Sequence, residues 1–177
     1  MVGEDLTKQE KEGYIELCAY YPKLFGTEYK DLRGAKYVEH RIVLKEGFKP
    51  KAQRLRRLGG IQQEVLWQEV TKLLEAGIIY HVQEFEWVSP VVITPKKNGK
   101  WRVCVNYKPL NAATQRNHYP LPFQDEILNQ VAGHERYSIM DGFPGYFQIA
   151  IAPEDQLKTT FITTWGCFAY RRMPFWL

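Results

Sequence analysis

The sequence predicts an α+β fold, and three observations carry that expectation. Leu66, Val70, Leu73 and Leu74 recur at i, i+4, i+7 and i+8, the spacing of one helix face. Residues 91–94 and 101–107 are two β-rich runs joined through Lys97-Asn98-Gly99-Lys100. Asn-Gly suits the central positions of a type I′ hairpin, because both need positive φ. Further short helices and alternating segments follow, with no glycine-rich phosphate loop and no dinucleotide fingerprint.

From the N-terminus, Thr7 is placed to cap a helix through "KQEKEGYIELCAYY", which Pro22 closes and Gly13 weakens. Residues 26–36 read as a linker. In "VEHRIVLKEGF", Val38, His40, Ile42 and Leu44 alternate with Glu39, Arg41 and Val43, as in a strand leading to a turn at Gly47. Lys45, Lys49, Lys51, Arg54, Arg56 and Arg57 then crowd a short stretch, either a solvated extended arm or one that contacts phosphates. The helix through Leu66 and Leu74 should end at Gly77, a left-handed C-cap.

In the hairpin's second strand, Trp101, Val103, Val105 and Tyr107 share one face, expected in the core, and Arg102, Cys104 and Asn106 share the other. The tip carries Lys96, Lys97 and Lys100, with Arg102 just inside. Such a tip is either simply solvated or a cradle for a triphosphate, which guanidinium grips bidentately. Pro120 and Pro122 hold an extended entry to a short helix marked by Phe123, Ile127, Leu128 and Val131 and stopped by Gly133. A strand is expected over residues 137–140, ending at Asp141. Another is marked by Phe147, Ile149 and Ile151, and a last hairpin turns at Gly166.

The chain of 177 residues is 45% hydrophobic and 25% charged, an ordinary globular balance. Its net charge of +4 is compatible with a polyanionic partner. Cys18, Cys104 and Cys167 form no CxxC pair, and the four histidines show no zinc spacing, so reduced thiols in a cytoplasmic or nuclear protein are expected. No signal-peptide core is evident, and no apolar run approaches the ~18 residues of a membrane span.

The pieces "VEHRIVL", "KLLEAGIIY", "WVSPVVITPKKNGKWRVCVNYKPLNAAT", "YPLPFQDEILNQVAGHERYSIMDGFPGYFQI" and "APEDQLKTTFITTWGCFAYRRMPFWL" follow one another in an order that resembles the reverse transcriptase of gypsy-type long-terminal-repeat retrotransposons, particularly those of plants. The resemblance implies a right-hand RNA-directed DNA polymerase, present as fingers and partial palm. Residues 1–35 would be a helix and linker from the polyprotein, about 36–116 and 149–177 fingers, and about 117–148 the first palm piece. It further implies an RNA or DNA template–primer and deoxynucleoside triphosphates as partners. Mg²⁺ is the expected cofactor of the complete enzyme, with Mn²⁺ as the alternative, and no membrane is involved.

Two-metal nucleotidyl transfer needs hard oxygen ligands beside the primer end. Asp141 matches the family's first catalytic and metal-binding Asp; read alone, it is equally a turn-starting acid. By the same resemblance Lys96 or Lys97, Arg102, Phe143, Gly145, Tyr146 and Gln148 are nucleotide contacts, and Tyr146 excludes a ribose 2′ hydroxyl. Arg54, Arg56, Arg57 and Lys100 are weaker candidates for nucleic-acid contacts. Three positions depart from the family: Asn106 stands for a usual Asp, Pro144 for Ser, and Trp176 for the Gly of "MPFGL". The family's Tyr-x-Asp-Asp hairpin does not occur in these residues, so this polypeptide alone is expected to be inactive. The alternatives are a non-catalytic nucleic-acid-binding remnant and an unstable pseudogene product.

Overall fold

The computed structural model describes residues 5–26, 28–97, 99–117, 119–135, 137–139, 142 and 144–177. Helix α1 (Lys8–Tyr20) begins as expected: the Glu10 N–H donates to Thr7 Oγ1 (3.3 Å) and the Thr7 N–H to the Glu10 carboxylate (2.8 Å). Each satisfies an amide the first turn leaves over. α1 buries no residue.

The expected linker is more than that. A 3-10 turn at Tyr29–Asp31 packs Tyr29 on the core, where its hydroxyl donates to Glu69 Oε1 (2.8 Å). Its ring meets Phe147 edge-on, with centroids 5.5 Å apart.

Strand β1 (Glu39–His40) is shorter than the alternation predicts. The cause lies in the hydrogen bonds: the Ile42 N–H donates to the buried Asp155 carboxylate (2.7 Å) instead of a neighbouring strand. The side-chain alternation still holds from His40 to Leu44, with Ile42 fully buried and Arg41 and Val43 exposed, but Val38 faces outward. Gly47 makes its turn at φ 78°.

Helix α2 (Gly60–Glu75) buries Leu66, Val70 and Leu73 and half-buries Leu74. Gly77 follows at φ 67°, with its N–H on Leu74 O and the Ile78 N–H on Leu73 O, both 2.9 Å. This pair of bonds satisfies the last carbonyls, and the left-handed residue between them favours glycine.

Five strands build the main sheet: β2 (Ile79–Val82), β3 (Ser89–Pro95), β4 (Trp101–Val105), β6 (Phe161–Thr163) and β7 (Gly166–Tyr170). Their order is β2-β7-β6-β3-β4, antiparallel at every pairing except β6 with β3. Helix α3 (Lys108–Ala113) follows β4 and helix α4 (Gln124–Val131) comes next. β5 (Ala150–Ile151) pairs in parallel with β1.

Ile79, Phe168, Tyr170, Phe161, Val91, Ile93 and Val105 join the α2 residues in one core. The Tyr107 hydroxyl, fully buried, donates to Thr159 O (2.8 Å) and so carries no unpaired polar atom into that core.

Four expectations are corrected. Trp101, placed in the core by its alternation, is 36% exposed, because it pairs with Pro95 on the last rung of the hairpin. The turn is not a two-residue I′ turn: Gly99 N–H donates to Lys96 O (3.0 Å) and Lys96 N–H to Lys100 O (2.7 Å). These are the bonds of a three-residue loop with Gly99 (φ 77°) as the left-handed bulge residue. Phe147 lies not in a strand but in a 3-10 turn, Gly145–Gln148. Residues 137–139 join no strand, and the Tyr137 hydroxyl donates to Val131 O (2.8 Å). Helix α4 forms as expected but buries none of its residues, Ile127 and Leu128 included.

Candidate nucleotide and nucleic-acid site

The expected site residues fall into a hairpin group, a turn group and an arm. On the hairpin, Arg102 faces Thr94 and Cys104 faces Val92 across the ladder, so Arg102 and Cys104 share a face. Burial pushes the Cys104 thiol up, and Arg102 and Lys96 partly offset it. Lys96, two residues past Thr94 and bonded to Lys100 across the hairpin, falls on the same side as Arg102. Lys96, Lys97, Lys100 and Arg102 are all exposed. A β-hairpin holds such cations in register at low entropic cost.

The arm is anchored at the hairpin's other end. Gln53 N–H donates to Val88 O (2.9 Å) and Val88 N–H to Lys51 O (3.2 Å). Arg54, Arg56 and Arg57 continue from there, exposed. The seven residues of β3 rise roughly 3.3 Å each, so about 20 Å separates this anchor from the lysine tip. Arm and tip are thus distinct basic surfaces.

In the turn group, Pro144 sits at φ −60°, the value its ring imposes, so proline fits here without strain. Gly145 N–H donates to Gly142 O (2.7 Å), and Phe147 N–H to Pro144 O (3.0 Å). Tyr146, 47% exposed, points its ring edge-on to Phe175 with centroids 5.2 Å apart. Gln148 is half-buried. Asp141 and Phe143 lie outside the described residues.

Two departures from the family pattern lie in described backbone. Asn106 Oδ1 accepts the Lys108 N–H (3.3 Å) at the start of α3, a bond an aspartate would make as well. Trp176 has φ 74°, the left-handed region where glycine is at ease and a bulky side chain is strained. Its carbonyl accepts from Asn111 Nδ2 (2.7 Å), and its indole stays 61% exposed.

Sequence reasoning missed a cavity of about 500 Å³ whose lining includes His40, Lys108, Asn111, Arg116 and Leu177. Burial lowers the His40 imidazole from its ordinary value, and Asp155 opposes that shift. The cavity was hidden because its lining comes from three separated segments.

Among the described residues no group of three or more His, Cys, Asp or Glu could hold a metal ion. No helix among them is long and apolar enough to cross a membrane.

With this geometry in view, the class of fold is settled by likeness to solved structures. The prototype foamy virus protease–reverse transcriptase CSH mutant superposes with a TM-score of 0.84 at 20% identity, covering 97% of this chain and 23% of that one. The foamy viral protease–reverse transcriptase in complex with an RNA/DNA hybrid gives 0.79 at 18% identity, covering 98% and 23%. The fold is the α+β fold of a reverse transcriptase.

Sequence comparison then narrows the class. Residues 94–175 match the family described as reverse transcriptase (RNA-dependent DNA polymerase). A retrovirus-related Pol polyprotein from transposon 412 of Drosophila melanogaster is 26% identical over 167 residues, 91% of this chain and 13% of the polyprotein. The transposon Tf2-3 polyprotein of Schizosaccharomyces pombe is 32% identical over 114 residues, 64% of this chain and 8% of the polyprotein. The chain is thus similar to reverse transcriptase sequence over residues 94–175 and to parts of retrotransposon polyproteins, and spans about an eighth or less of these relatives' length.

Proposed function

We propose that this chain supplies the nucleotide- and template-gripping part of a gypsy-type, plant-like retrotransposon RNA-directed DNA polymerase. The observation that carries the reading is the β3–β4 hairpin, with Arg102 and Lys96 acting on one face and two further lysines at its tip. Arg102 and Lys96 take the triphosphate of an incoming deoxynucleotide, and Tyr146, Gly145 and Gln148 line its sugar. Tyr146 presents a half-exposed ring held against Phe175, which suits exclusion of a 2′ hydroxyl. Arg54, Arg56, Arg57 and Lys100, with Lys108 and Arg116 of the cavity, contact phosphates of a template–primer. Solved foamy viral relatives of this fold are bound to RNA/DNA hybrid and to double-stranded DNA.

Asp141 is assigned to Mg²⁺ by family resemblance, and among the described residues no group of three or more His, Cys, Asp or Glu could hold a metal ion. No step is therefore derived through the ion. These 177 residues hold no Tyr-x-Asp-Asp, so the polypeptide is proposed to bind primer–template without extending it.

The test titrates an RNA/DNA primer–template at increasing salt. Each phosphate contact releases counterions and steepens the slope of log affinity against log salt by roughly 0.7–0.9. Replacing Arg54, Arg56 and Arg57 by Ala should flatten that slope by about two to three. Binding indifferent to salt, or absent below the millimolar range, overturns the proposal.

A further inference from the structure

The Gly145–Gln148 turn is gripped from a part of the chain far from it in sequence. Ala35 N–H donates to Gln148 O (2.6 Å), and Arg172 Nη1 donates to the same oxygen (3.3 Å). Gly34, at φ 76°, lays its bare Cα against that guanidinium, and a Cβ there would overlap Arg172. Two residues past the turn, Ala150 bridges Arg172 again through the backbone. Within the turn, Phe147 is sandwiched between Tyr29, edge-on at 5.5 Å, and Tyr170, stacked at 6.2 Å. Tyr29 is itself tied to Glu69 of α2. The Gln148 amide Nε2 reaches back to 4.0 Å from where a Cβ on Gly142 would stand.

We propose that residues 29–35 and Arg172 form a positioning strap for this turn, setting the Tyr146 ring against Phe175 and holding Gln148 beside Gly142. Gly34, Ala35 and Arg172 are positioning residues: they act on Gln148 O and the turn backbone, and through them on the sugar-facing ring. The geometry requires three features at once. Glycine suits position 34, where the left-handed φ strains any side chain and a Cβ would push the Arg172 guanidinium aside. A donor N–H must stand at position 35. A long cation at position 172 must reach a carbonyl already shared with that amide, an arrangement charge assistance strengthens. The role in sugar selection rests on the polymerase reading above; the positioning itself does not.

The experiment compares the 177-residue chain with Arg172→Ala and Gly34→Ala by solution NMR. Both variants should shift the Tyr146 and Gln148 resonances and weaken the Tyr146–Phe175 ring cross-peak. They should also speed hydrogen exchange at the Ala35 amide by roughly tenfold or more, while β3 and β4 amides keep their protection. Arg172→Lys, which keeps one donor, should restore most of the pattern. Unchanged Tyr146 resonances in both variants, or uniform loss of protection across the sheet in both, overturns the strap. A second arm measures deoxy- over ribonucleoside triphosphate preference in each protein, where the variants should lose preference. If the wild-type chain shows none while the ring signals respond, the polymerase reading fails and the positioning stands.

Discussion

Asp155→Ala should destabilise the fold by about 3 kcal/mol, read as a shift in the denaturant midpoint at unchanged slope. Asp155 is 5% exposed and tied on both oxygens: Oδ2 accepts the Ile42 N–H (2.7 Å), and Oδ1 is paired with Lys158. Lys158 Nζ donates in turn to Ile42 O (2.9 Å). Three groups thus close a ring that replaces the strand pairing Ile42 would otherwise make.

Removing the carboxylate orphans a buried amide, costing about 1–3 kcal/mol, and strands a cation in a largely buried place. Lys158 keeps 27% of its side chain exposed and can turn toward water, which holds the total near the lower end of that for a broken buried pair. A double variant, Asp155→Ala with Lys158→Met, should lose less than Asp155→Ala alone. Equal losses would mean that the pair is not what carries the cost.

Arg102→Ala should weaken deoxynucleoside triphosphate binding, in the presence of primer–template, by roughly 10- to 100-fold by calorimetry. A charge-assisted bond to phosphate contributes about 1.5–3 kcal/mol, and each 1.4 kcal/mol is a factor of ten. The side chain is exposed on a ladder rung held by Thr94, so stability should stay within about 0.5 kcal/mol. Arg102→Lys should recover only part of the affinity, because ammonium lacks the planar fork. Lys96→Ala should lose affinity as well, and Lys97→Ala less, because Lys96 lies two residues beyond Thr94, the rung partner of Arg102, on the same side of the hairpin. An Arg102→Ala protein that binds like the wild type would remove the hairpin from the site.

What could be read from the sequence was local. The Thr7–Glu10 box, the Leu66–Leu74 stripe with its Gly77 cap, and the 91–107 hairpin all declare themselves within one or two turns of chain. Two of the misses share one physical cause, contacts between residues remote in sequence. The Ile42–Asp155 bond joins residues 113 apart, and Tyr29–Glu69 joins residues 40 apart. The first cut β1 to two residues, and the second turned an expected linker into a docked segment. Short alternating runs such as 147–151 were also ambiguous, since period two does not distinguish a strand from a turn that leads into one.

The site was legible in part. Lysine tip, Arg102 and Tyr146 were named from spacing and resemblance; in the structure Arg102 pairs across the ladder with Thr94, and the Tyr146 ring lies edge-on to Phe175. Gly34 and Arg172 were not named: a glycine in a polar stretch and an arginine in a hairpin tail carry no signal until the turn between them is built. Trp176 shows the converse. Its mismatch with the family glycine was visible in sequence, and its φ of 74° supplies the reason glycine belongs there.

The claim on which the account stands is that hairpin and turn together receive one deoxynucleotide. Resonance mapping of the 177-residue chain with primer–template and a deoxynucleoside triphosphate tests it directly. The account predicts joint, saturable shifts at Lys96, Arg102, Gly145 and Tyr146, with the Tyr146 shift lost when the ribonucleotide replaces it. Shifts confined to the neighbourhood of the Tyr29–Glu69 bond, or to the hairpin with the turn silent, would contradict it.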